Sequence, residues 1–237
     1  MHIICKMTMR IPKFITQIEF EKLYEHTIKL EKSCESKSRK KTIRQYRIAM
    51  LLGFESGMRI SEIIGLTKLY SRCCRVKLNY DSEKVEGKKY TIYLCSKCNK
   101  RIDVNKDTYR PSNNDWEIEP LKQSSFEESH IRIEQGKGRK DRVTLCPRRI
   151  TKTSKGELPL KIKRRALQEF FKKISKEVLG KDIHFHTLRH SFGSLLAGAD
   201  RPLHEIQMLL GHSRLDTTGI YLHANPKKAI EGAMSVF

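Results

Sequence analysis

His186-Thr187-Leu188-Arg189, then Leu210-Gly211-His212, then Thr217-Thr218-Gly219-Ile220-Tyr221 stand in the last quarter of the 237-residue chain, and their reading decides the fold. The apolar residues around them recur at helical spacing. Leu188, Phe192, Leu195 and Leu196 form one stripe, and Leu203, Ile206, Leu209 and Leu210 form another, with Pro202 as a first helical residue and Gly211 as the stop. Ser213 followed by Asp216 repeats a capping-box pattern ahead of Tyr221. The final third is therefore read as helices joined by short turns. Two histidines, an arginine and a tyrosine, all able to act on a phosphodiester, fall at fixed short separations there.

Upstream, Ile162, Ala166, Phe170 and Ile174 predict one helical face, with basic residues on the other. Ile131-Arg132-Ile133 and Val143-Thr144-Leu145 are alternating segments around the glycine-containing Gly136–Gly138 turn, which predicts a β-hairpin whose tip carries Lys137, Arg139, Lys140 and Arg142. Thr16 with Glu19 is another capping box, and Phe20, Leu23, Tyr24 and Ile28 follow at helical spacing. The basic stretch Ser33–Lys41 predicts a loop. A second helix is expected from about Thr42 to a glycine cap at Gly57, and a short one from Ser61, with Arg59 at the junction and Glu62 three residues on, on the same helical side. Tyr90–Leu94 has strand composition, whereas Asn105–Pro120 has weak periodicity. The expected class is α+β, mainly α-helical, with a small antiparallel hairpin or sheet.

Charge is the strongest compositional signal. Lys and Arg number 48 against 27 Asp and Glu, a formal net charge of +21, and the pI is about 9.8. A surface of this kind suits a polyanionic partner, with a ribosomal or membrane-associating basic surface as the alternative. No apolar run approaches bilayer length and the N-terminal residues lack a signal-peptide core, so the expectation is no membrane and a cytoplasmic, nucleoid-associated location. Seven cysteines, an odd number, argue for reduced thiols and against a disulfide framework. Cys95-x-x-Cys98 has zinc-ligand spacing, but Cys73 and Cys74 are adjacent, poor geometry for a zinc ribbon, and free thiols are the reading adopted.

Arg59, Lys137, His186, Arg189, His212 and Tyr221, in that order and with nine positions from His212 to Tyr221, resemble the catalytic signature of the tyrosine recombinases, the phage-integrase superfamily. The resemblance covers about residues 12–66 and 125–237. It implies a catalytic domain that cuts and rejoins DNA through a covalent 3′-phosphotyrosine. Arg59 and Arg189 would clamp the non-bridging phosphate oxygens, since a guanidinium fork can bond two at once. Tyr221 would be the nucleophile, His186 the candidate base and His212 a donor to the phosphate. Lys137 would protonate the leaving 5′ oxygen, with Lys140 and Arg139 as competitors for that place. Glu62 would orient an arginine or the neighbouring backbone, and Arg139, Lys140 and Arg142 would meet the DNA backbone.

On this reading residues 1–11 are an extension and 12–237 the catalytic domain, with an atypical insertion at about 67–124 and no N-terminal core-binding domain. The partners implied are double-stranded DNA and a homotetramer assembled on it. Ala229, Ile230, Ala233, Met234, Val236 and Phe237 form an apolar tail suited to a neighbouring protomer or to its own core. No metal, cofactor or nucleotide is expected, because the covalent intermediate conserves the bond energy. A type IB topoisomerase-like activity, or a DNA-binding regulator that retains the fold, is the alternative.

Overall fold

Thr16 starts the first helix as its sequence predicts. The hydroxyl accepts from Glu19 N at 3.2 Å while the Glu19 carboxylate accepts from Thr16 N at 2.9 Å, opening α1 (Gln17–Ser33). Ser36 caps α2 (Lys37–Glu55), so most of the basic stretch expected to be a loop is helical and only residues 34–36 separate the two helices. The exposed lysines and arginines of that stretch are good helix formers, and a cap was enough to recruit them. Residue Gly57 follows α2 with φ 60°, and α3 (Ile60–Ile64) begins directly after Arg59. The computed structural model describes residues 13–78, 92–104, 106–110, 116–134 and 141–212. Lys137, Arg139, Lys140, Tyr221, the Ser213–Asp216 capping pattern and the apolar tail lie outside these.

Residues Gly65–Glu119 form a compact unit of their own. Its strands are short and pair antiparallel: β1 (Leu66–Thr67), β2 (Tyr70–Ser71), β3 (Ile92–Leu94), β4 (Arg101–Asp103), β5 (Thr108–Tyr109) and β6 (Trp116–Ile118). Strand β1 pairs with β6, β2 with β5, and β3 with β4, so the strand composition of Tyr90–Leu94 is realised in part as β3. Leu69, Leu78, Tyr93, Cys95 and Ile102 make its core.

The other unit comprises Met1–Ile64 and Pro120–Phe237. The expected hairpin is present as β7 (His130–Ile133) and β8 (Arg142–Leu145), with Ile131 opposite Thr144 and Ile133 opposite Arg142. Four helices follow: α4 (Lys152–Gly156), α5 (Arg164–Leu179), α6 (His186–Gly198) and α7 (Leu203–Leu210). In α5 the buried stripe is Leu167, Phe171 and Ile174, one position beyond Ala166 and Phe170, which are only partly covered. On α6, Leu188 and Phe192 are buried while Leu195 is exposed. Pro202 serves as the N-cap of α7 and not as its first residue. The main core joins Phe20, Leu52, Phe54, Ile63, Ile131, Leu167, Phe171 and Leu188, contributed by α1, α2, α3, α5, α6 and β7. Phe20 and Phe54 stack with ring centroids 4.0 Å apart, which fixes α1 against α2 beside the α2–α3 junction.

Candidate active site

The last turn of an α-helix leaves carbonyl oxygens without intrahelical donors and concentrates the negative end of the helix dipole there. In α7 that end is reached by three arginines from separate parts of the chain. Arg142 Nη1 donates to the Leu209 carbonyl, Arg189 Nη2 to the Leu210 carbonyl, and Arg59 Nη2 to the Gly211 carbonyl at 3.5 Å. Gly211 adopts φ 63° and turns the chain out of the helix. A Cβ on it would stand 2.4 Å from Arg142 Cδ, so the absence of a side chain also makes room for that arginine. His212 follows at once, its N–H bonded to the Gln207 carbonyl at 3.1 Å and its own carbonyl accepting from Gln207 Nε2 at 3.0 Å.

Arg189 is buried on the first turns of α6, and its Nη1 donates at 2.6 Å to the carbonyl of Gly57. It therefore ties the junction that carries Arg59 to the end of α7. Arg59 precedes α3, and Glu62 occupies the third position of that helix, where a carboxylate can reach back to the cap. Glu62 Oε2 accepts from Arg59 N at 2.7 Å and from Arg142 Nη2 at 2.7 Å, and Oε1 accepts from Arg59 Nη1 at 2.9 Å. The Glu62 side chain is wholly buried. Burial alone would raise its pKa, but the charge and hydrogen bond of Arg142, followed by Arg59, outweigh it and hold the carboxyl below its ordinary value.

Arg142 corrects the sequence reading. Expected with Arg139 and Lys140 at the hairpin tip to meet DNA, it has a side chain only 6% exposed and holds Glu62 and the α7 carbonyl. The cause is the pleat: Arg142 and Thr144 share the inward face of β8, while Val143 and Leu145 are exposed. The inward neighbours of this strand are backbone carbonyls, and Thr144 Oγ1 donates to the Ser56 carbonyl at 2.6 Å. Polar residues satisfy these acceptors and apolar ones would not.

His212 is half-buried among cations. Desolvation first, then the charges of Arg189, Arg59, His190 and Arg142, push its pKa down to about 4, so the imidazole is neutral near pH 7. His190 is likewise lowered by burial and by Arg189. His186 is exposed at the start of α6 and meets His190 edge to face with centroids 4.7 Å apart. The described residues thus gather Arg59, Glu62, Arg142, Arg189 and His212 at one helix end, with His186 joined to them through His190. A group of cations held by backbone carbonyls, with one carboxylate among them, is suited to a bound phosphate.

Residues 120–228 match the phage integrase family. Over that segment, just under half of the chain, it is similar to that family and to tyrosine recombinases. Among tyrosine recombinases it is 34% identical over 113 residues to one from Thermosipho africanus, covering 42% of this chain and 40% of the relative. It is 46% identical over 59 residues to the recombinase XerC of Pseudomonas fluorescens, covering 25% of this chain and 20% of that one. The matched segments therefore span less than half the length of these relatives. Among solved structures, the XerH site-specific recombinase in its post-cleavage complex with a palindromic difH substrate superposes with TM-score 0.55 at 20% identity, over 94% of this chain and 53% of that one. The catalytic domain of bacteriophage HP1 integrase gives TM-score 0.50 at 15% identity, over 94% of each chain. The mainly helical α+β fold with small antiparallel sheets is thus that of tyrosine recombinase catalytic domains.

Proposed function

We propose that this protein is a site-specific DNA recombinase or integrase that cleaves and rejoins duplex DNA through a 3′-phosphotyrosine on Tyr221. The observation that supports the reading is the placement of the Arg59 and Arg189 guanidinium groups on consecutive carbonyls at the end of α7, directly before His212. A phosphate entering there would meet two permanent positive charges whose positions are set by backbone, a preorganised environment for the charge that accumulates on the non-bridging oxygens. Neutral His212 can donate one N–H to the same phosphate. Tyr221 lies nine positions further along and would attack phosphorus, the clamp arginines favouring its phenolate. His186 would take the phenol proton and Lys137 would deliver one to the leaving 5′ oxygen. Paired exchange between two duplexes calls for a homotetramer on DNA.

The test is adduct formation on nicked suicide substrates, read on denaturing gels, together with incubation of supercoiled plasmid carrying candidate sites. Tyr221→Phe removes one oxygen and no charge, so it abolishes the adduct while DNA binding stays within about twofold. An adduct that persists in the variant assigns the nucleophile elsewhere. Relaxation without exchange by the unaltered protein supports a topoisomerase-like activity instead, and binding alone supports a regulator.

A further inference from the structure

Four cysteines that sequence alone leaves as two unrelated pairs come together in the Gly65–Glu119 unit. The sulfurs of Cys73, Cys74, Cys95 and Cys98 all lie within 4.8 Å of one another. Cys73 and Cys98 Sγ are 3.6 Å apart. This is far beyond a disulfide bond of about 2.05 Å, and it matches the roughly 3.8 Å between thiolates on a tetrahedral ion with bonds of about 2.3 Å.

The backbone around them is built as two equivalent turns. Arg75 N donates to the Ser71 carbonyl at 3.0 Å, and Asn99 N donates to the Cys95 carbonyl at 2.8 Å. Each turn ends on a non-glycine residue in the left-handed region, Arg75 at φ 54° and Asn99 at φ 55°. In the second turn the sulfurs occupy the first and fourth positions, Cys95 and Cys98. In the first turn Ser71 occupies the first position and Cys74 the fourth, while the additional sulfur comes from the third, Cys73. The adjacency of Cys73 and Cys74, which counts against a ribbon when judged by spacing, is thus a shift of one ligand within a knuckle-like turn. Backbone N–H groups of Lys97 and Cys98 point at Cys95 Sγ, the outer-shell donation that orients and stabilises a metal-bound thiolate.

We infer that Cys73, Cys74, Cys95 and Cys98 bind one zinc ion in a closed four-thiolate site. With four protein ligands it has no open position, so its role is structural. It fixes the turn after β2 to the turn between β3 and β4, in a unit whose strands are two or three residues long and whose core is Leu69, Leu78, Tyr93, Cys95 and Ile102. A core of that size is marginal without a cross-link or a metal.

The test uses the full chain purified under reducing conditions without chelator, with metals measured by plasma mass spectrometry and thiols by alkylation before and after denaturation. About one equivalent of zinc is expected, with these four thiols protected from alkylation until denaturation. Replacing zinc with cobalt(II) should give the charge-transfer and intense visible bands of a tetrahedral tetrathiolate. The paired variant Cys73→Ala/Cys98→Ala, at two exposed positions, should lower bound zinc more than about tenfold. Cys34→Ala and Cys146→Ala, in the other unit, should leave it unchanged. Zinc retained by the paired variant, iron in its place, disulfides among the four cysteines, or four freely reactive thiols in a metal-free native protein would each overturn the assignment.

Discussion

Glu62→Gln isolates the charge of one buried carboxylate while keeping its shape. The native group receives three bonds, two on Oε2 and one on Oε1. A glutamine whose carbonyl replaces Oε2 keeps the bonds from Arg59 N and Arg142 Nη2 but turns its amide against Arg59 Nη1, donor facing donor. Breaking a buried ion pair by removing one partner costs about 3–5 kcal/mol. With two of the three bonds retained the lower end applies, about 3 kcal/mol, or more than a hundredfold in the folding equilibrium. Urea unfolding followed by circular dichroism reads this loss. The pH dependence carries the same signature: because the Glu62 pKa lies below its ordinary 4.5, its contribution is complete above about pH 4.5 and is lost as pH falls through the lower folded-state value. The variant should lack that step. Since Arg59 would also lose its orienting partner, strand cleavage should fall about a hundredfold with DNA affinity little changed. A variant within about 1 kcal/mol of wild type that cleaves normally would refute the reasoning.

Gly57→Ala and Gly180→Ala form a matched pair. Both residues are in the left-handed region, but a Cβ at Gly57 would lie 2.5 Å from Phe192 Cδ1 whereas Gly180 has nothing within 4 Å. The expected losses in thermal or urea unfolding are about 3 kcal/mol and about 1 kcal/mol respectively, and equal losses would contradict the packing argument. His212, with its pKa near 4, contributes stability that is complete above about pH 6.5 and declines as pH falls toward 4. An adjacent phosphate should raise that pKa, so calorimetry at about pH 6 in buffers of different ionisation enthalpy should show proton uptake on DNA binding that His212→Gln diminishes; no uptake by the unaltered protein would count against a phosphate at this histidine. Lys137→Ala should slow cleavage of ordinary DNA far more than of a substrate with sulfur at the 5′ bridging position, because a thiolate leaves without a proton. Equal slowing on both would mean that Lys137 only holds the phosphate.

Features encoded within a few residues were legible in the sequence. The Thr16–Glu19 box, the hairpin of 131–133 with 143–145 and the glycine stop at Gly211 all depend on local patterns, and each is found in the structure. The loop expected at Ser33–Lys41 shrank to residues 34–36 because basic composition is not itself a helix breaker, and the Ser36 cap lies inside the stretch. The inward turn of Arg142 was hidden for a different reason. Its partners, Glu62 and the Leu209 carbonyl, are 80 and 67 residues distant in sequence, and a charged residue beside a basic turn reads as a surface group until the acceptors facing it are known. The convergence of the four cysteines was hidden in the same way, since only the pairing of β3 with β4 and of β2 with β5 sets their turns in place.

The acceptors at the end of α7 are peptide carbonyls, and point mutation cannot delete a peptide carbonyl. Leu209 and Leu210 can change identity and the groups that receive Arg142 and Arg189 remain. Length is a different matter. One residue added or removed between Ile206 and Gly211 would turn the remaining carbonyls by about 100° around the helix axis and shift them about 1.5 Å along it, uncoupling all three arginines in a single step. This part of the molecule is therefore tolerant of substitution and intolerant of insertion, which inverts the usual expectation for a stretch so close to a proposed catalytic centre.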